Sequence, residues 1–205
     1  MDLSGDKELL DRYLVAFFAS RTAPPKALDL AKRWAHEIAQ TDKIVISGFH
    51  SPIERAVLDI LLANGCSVVV ALGRSLYRKI PTHLQAAYDS NRVLFVSFRD
   101  YSRPSFSNSQ IRNWLTADLA SEVVFAPFDN SSQLSSLHYS IAHSSTPCTI
   151  LKENLHHSLL NDADSNCCVF SLPFRSFHPT FWRFSPYFSE ILLAVSRFLE
   201  FTRSA

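Results

Sequence analysis

KIVISGFHSPIERAVLDILL, residues 43–62, decides the fold. Ile44, Val45 and Ile46 form a β-branched apolar run and Ser47-Gly48 breaks it. Apolar residues then recur at Ile53, Val57, Ile60 and Leu61. This pattern reads as a buried strand, a glycine turn and a helix. A parallel strand feeding a helix through such a turn leaves unpaired N–H groups at the helix start, where anions such as phosphate collect. The junction is therefore the first place to expect a ligand.

Working outward, the same alternation repeats. A polar lead, Met1–Lys7, precedes a first core strand at Tyr13–Ala19, a turn at Pro24-Pro25, and a helix over Ala27–Gln40 with Leu28, Ala31, Trp34, Ala35 and Ile38 on one face. Beyond the central unit, further strands are expected at Ser67–Leu72, Val93–Phe98, Glu122–Ala126 and Pro147–Leu151. Helices are expected at Pro81–Tyr88, Ile111–Ala120 and Ser131–His143, with Asp100–Ser109 as a polar loop around Arg103. Strands alternating with helices at this spacing predict a mainly parallel six-stranded sheet with right-handed crossovers. Ligands of such sheets gather beyond the carboxyl ends of the strands.

Composition narrows the function classes. A net charge of +1 over 205 residues gives no global attraction to nucleic acid or acidic membranes, so any polyanion site must be a local patch. The cysteines, at 66, 148, 167 and 168, lack CxxC spacing and read as reduced, mostly buried thiols. No signal-peptide pattern is present and no apolar run approaches the roughly 18 residues of a membrane span. A cytoplasmic protein without membrane attachment is expected. His138, His143, His156 and His157 make no HExxH or Cys/His pattern, so neither metal nor cofactor is expected.

Four blocks in order resemble the DNA-processing protein A family (DprA, also called Smf). The blocks are Val15–Arg21 (VAFFASR), Ile46–Leu58 (ISGFHSPIERAVL), Ala71–Pro81 (ALGRSLYRKIP) and Arg112–Ala126 (RNWLTADLASEVVFA). They are similar to the family's VAIVGSR, VSGLARGIDAAAH, VLGSGLDRIYP and RNRIIAGLSDAVLVVEA, with Glu54 where aspartate is usual and Ala19 where glycine is usual. Several blocks at compatible spacing are far more specific than one glycine turn. The resemblance implies a Rossmann-like three-layer α/β sandwich over residues 8–152, with 153–205 outside it as a C-terminal extension. The family's glycine-bearing SGSL turn is replaced by Ser131-Ser132-Gln133-Leu134, which adds a Cβ where a backbone would approach a phosphate.

Arg21, Arg74 and Arg112 follow or flank strand ends, so folding would bring three guanidinium groups to one edge, each able to fork onto a phosphate. With the resemblance, the expected phosphate or nucleic-acid contacts are Ser20, Arg21, Ser47, Gly48, Phe49, Gly73, Arg74, Ser75, Arg112, Asn113, Ser131 and Ser132. Arg112 is expected exposed at the start of its helix, facing the Ser47-Gly48 turn. The resemblance implies binding of single-stranded DNA and assistance to a RecA-type recombinase in DNA uptake; a homodimer is a further expected partner. A sensor or degenerate hydrolase for a mononucleotide is the alternative. The related cytokinin-activating hydrolases use a PGGxGTxxE block, where Pro127–Ser135 (PFDNSSQLS) lacks the acid, so a binding protein is expected rather than an enzyme.

The extension packs Phe170–Phe188 with aromatic rings between Arg175, His178 and Arg183, then Glu190–Phe201 as an amphipathic helix. Its rings are expected to cover the sheet or a partner subunit, with Phe181, Trp182 and Leu192 buried. A stacking platform for single strands is the competing reading.

Overall fold

The computed structural model of the chain describes residues 1–98 and 106–152. Strands β1 (Asp2–Gly5), β2 (Leu14–Phe18), β3 (Ile44–Ser47), β4 (Val68–Leu72), β5 (Val93–Ser97), β6 (Glu122–Phe125) and β7 (Cys148–Ile150) form one sheet. Helices α1 (Ala27–Ile38), α2 (Pro52–Ala63), α3 (Thr82–Asp89), α4 (Phe106–Leu119) and α5 (Leu134–Ala142) connect them. The order across the sheet is β1-β5-β4-β3-β2-β6-β7. All pairings are parallel except β1 with β5, which runs antiparallel with Leu3 opposite Val96. The architecture is the Rossmann-like α/β sandwich expected from sequence.

The parallel strands read as unbroken apolar runs because both faces are covered, so every residue of β2, β4 and β5 is buried. Val15, Phe17, Val45 and Phe95 pack toward α1, α2 and α3, with Phe17 stacked on Trp34 at 4.7 Å between ring centroids. Ala16, Phe18, Ile46 and Val69 lie in the opposite core layer, with Ala117 of α4 and Leu137 and Ile141 of α5. β2 is an interior strand, flanked by β3 and β6. The chain winds outward through β3, β4 and β5, then crosses back by α4 to β6. Winding therefore reverses at the carboxyl end of β2, the position that opens a ligand crevice in such sheets.

Two elements differ from the sequence reading. The polar lead is strand β1, which carries no apolar run because it is a sheet-edge strand whose residues are only partly covered. Backbone pairing to β5 holds it. Helix α4 begins at Phe106, so part of the expected polar loop is helical despite its serines and asparagine, which are weak formers that tertiary contacts override. Arg112 therefore stands in the second turn of α4, not at its start. The rest of that loop, with Arg103, and the extension, with Phe181, Trp182, Leu192 and the expected terminal helix, lie outside the described residues.

Candidate functional site

The turn between β3 and α2 is closed by its own side chains. Ser47 is fully buried and its Oγ accepts the N–H of Phe49 at 3.3 Å. Phe49 takes a left-handed φ of 50° with its side chain buried. That backbone is unusual for a bulky residue and costs on the order of 1–3 kcal/mol, which the surrounding bonds must offset. Ser51 caps α2: its Oγ accepts the Glu54 N–H at 3.1 Å, and Glu54 Oε2 accepts the Ser51 N–H at 3.0 Å, a reciprocal capping box. Ser51→Ala is expected to lower the unfolding free energy by about 1 kcal/mol, read as an earlier denaturant midpoint.

Glu54 does more than cap. Its Oε2 also accepts the His50 N–H at 2.8 Å, and its Oε1 accepts the Ala19 N–H at 3.1 Å, from the residue after β2. At 5% exposure this carboxylate ties the ends of two adjacent strands together. At this junction, expected to be open to a phosphate, the N–H groups of His50 and Ser51 are thus met by an internal anion and that of Glu54 by the Ser51 hydroxyl. That is a correction to the sequence reading, and its cause is the glutamate in the first turn of α2.

Arg112 is also buried, at 5% exposure, where the sequence reading had it exposed. Its guanidinium lies against Gly48 so closely that a Cβ there would overlap Nη1 and Cζ, which is why this position takes glycine. Nε and Nη2 donate to Asn113 Oδ1 at 3.1 and 2.7 Å. Nη1 is buried without a hydrogen-bond partner among the described residues. Burial pulls the Arg112 pKa below its ordinary value, nearby Glu54 opposes this, and Arg21 adds to it.

These groups converge on His50, which follows Phe49. Its imidazole pKa is pushed down to about 4, first by burial and then by the positive charges of Arg112, Arg55, Arg21 and Arg74. His50 is exposed as a residue, yet enough protein lies around its ring for loss of water to be the larger cause. The four arginines come from α4, α2, the loop after β2 and the loop after β4. Among the described residues none of Arg21, Arg55 and Arg74 has a carboxylate partner, and Arg74 lies over the Tyr77 ring at 5.3 Å. The edge is a concentration of positive charge that an otherwise balanced composition conceals.

The expected arginine trio is therefore brought together. Ser47, Gly48 and Phe49 form its buried floor, while Arg21 and Arg74 face solvent. Asn113, expected as a base or ribose contact, instead has its carbonyl oxygen committed to Arg112. Gly73 is buried next to Asn108 and Ser109 of α4, and Ser20 and Ser75 are half-buried on the loops carrying Arg21 and Arg74. Ser131 and Ser132 lie in the loop after β6 on the same sheet edge, where Ser132 Oγ accepts the Leu134 N–H at 3.3 Å, and no described hydrogen bond joins them to the arginines. The sequence reading missed His50, Arg55 and the role of Glu54. Their signal was the run HSPIER, which sets a histidine, a carboxylate and an arginine inside one turn and the first helical turn after it. Among the described residues no three His, Cys, Asp or Glu side chains gather as a metal would require, and no helix is long and apolar enough to cross a membrane.

Residues 2–145 match the family model described as DNA recombination-mediator protein A. The fold is similar to DNA processing protein A from Helicobacter pylori, whose structure is described for its single-stranded DNA binding mode. The TM-score is 0.60 at 21% identity, over 76% of this chain and 73% of that one. DNA processing protein A from Streptococcus pneumoniae matches with a TM-score of 0.50 at 21% identity, over 60% of this chain and 44% of that one. No curated protein sequence matches the chain.

Proposed function

The chain belongs to the DNA recombination-mediator protein A family, and from that premise we propose that its strand-end edge holds single-stranded DNA by the phosphate backbone. The observation that supports this most is the charge balance of the edge. Four arginines surround His50, and the carboxylate among them, Glu54, is occupied by three backbone N–H groups. Such an edge attracts anions, and guanidinium groups on separate loops suit successive phosphates better than one compact ligand. The single-stranded DNA binding described for the Helicobacter pylori protein agrees with this reading.

Within the same proposal, the chain works in the cytoplasm and hands bound DNA to a RecA-type recombinase. Oligonucleotide titration tests the central point. If three or four arginines each displace a counterion, log K should fall against log salt with a slope of roughly −2 to −3. Saturable binding of a mononucleotide without affinity for oligonucleotides would select a small-ligand protein instead.

A further inference from the structure

His50 occupies an unusual place in this edge. Its backbone is fixed, because its N–H is held by Glu54 and the preceding Phe49 is buried in a left-handed conformation. The parallel neighbours β2, β3 and β4 bring the loops that carry Arg21, His50 and Arg74 to one edge of the sheet, Glu54 and Arg55 follow on α2, and the Arg112 guanidinium of α4 lies against Gly48, two residues before His50. In the free protein burial first, and then these cations, suppress protonation of the imidazole. An anion placed among them reverses the sign of that influence, since opposite charge within a few ångströms favours the charged form.

We propose that His50 is a conditional cation of this site: a polyanion seated among the arginines draws a proton from solvent onto its ring, so that binding tightens as pH falls. The proposal rests on the single-stranded DNA reading and adds a proton-linked residue to it. The linkage has a definite sign. Bound protein holds more protons than free protein at any pH between the lower pKa of the free state and the higher one of the complex, so affinity rises toward acid by up to about tenfold per pH unit in that window. Folding has the opposite dependence. The folded pKa of about 4 lies below the ordinary 6.5, so this contribution to stability is full above 6.5 and lost as pH falls toward 4. One residue thus makes the free protein less stable and the complex tighter over the same interval.

The test uses the full chain and an oligothymidylate, whose bases take up no proton in this range. Affinity is measured from pH 8 to pH 5 at constant ionic strength for the parent and for His50→Gln, and the pH slope is read rather than the absolute affinity. Ring-proton NMR of His50, assigned by its loss in the variant, follows its titration with and without the oligonucleotide. A steeper acid-side slope in the parent, with the His50 titration shifted upward on binding, is the expected result. Equal slopes and an unmoved His50 titration would overturn the proposal while leaving the DNA reading intact. No oligonucleotide binding at any pH would overturn the DNA reading, and this proposal with it.

Discussion

Arg112→Met is expected to weaken oligonucleotide binding roughly ten- to a hundredfold while lowering the stability of the domain by only about 1–2 kcal/mol. Arg112 is 5% exposed, its Nη1 has no partner among the described residues, and it lies near the positive Arg21. Leaving a buried donor unsatisfied costs about 1–3 kcal/mol, which the substitution relieves. It also removes two hydrogen bonds to Asn113 Oδ1 and the positive charge beside buried Glu54, and taking away one of two neighbouring buried charges is destabilising. Methionine is flexible enough to fill the space above Gly48. In the complex Nη1 would gain the partner it lacks in the free protein. A phosphate oxygen that reaches Nη1 makes a charge-assisted bond worth about 1.5–3 kcal/mol, which is the stated loss of affinity. Urea unfolding and a fixed-salt titration of the same variant check both halves. Unchanged affinity in a folded variant would mean that the exposed Arg21 and Arg74 bind DNA without the buried arginine.

The sheet was legible because strands buried on both faces need continuous apolar runs, and the β2, β4 and β5 segments have no polar residue before their last position to obscure the pattern. β1 escaped because an edge strand of four residues, DLSG, is specified by its neighbour's free backbone and not by its own hydrophobicity. Among the site residues, convergence of Arg21, Arg74 and Arg112 followed from strand order alone. The depth of Arg112 did not, since burial of an arginine depends on what lies across from it, here a glycine more than sixty positions away in sequence. Nor could the sequence show that Glu54 would reach beyond its capping box to Ala19, a contact between loops joined only by the pairing of β2 with β3.

Glu54→Ala is expected to be the most destabilising of the changes considered, at about 3–5 kcal/mol, a large share of the ~5–15 kcal/mol that holds a typical domain folded. The carboxylate accepts N–H groups from Ala19, His50 and Ser51, and completes the cap of α2. Truncation strands those donors in a site that is itself buried, and leaves Arg112 facing other cations without its nearest negative charge. Glu54→Gln separates the two effects. One amide oxygen can take the place of Oε2 and serve His50 and Ser51, but the NH2 group then meets the Ala19 N–H donor to donor, so the link between the β2 and β3 loops breaks while the cap survives. The glutamine variant should therefore fall between parent and alanine in chemical denaturation. Its amide hydrogen exchange should quicken at Ala19 before it does at Ser51. Equal protection at both positions in a glutamine variant as stable as the parent would show that the carboxylate is not what joins the two loops, and that the left-handed Phe49 turn is held by the packing of its buried ring.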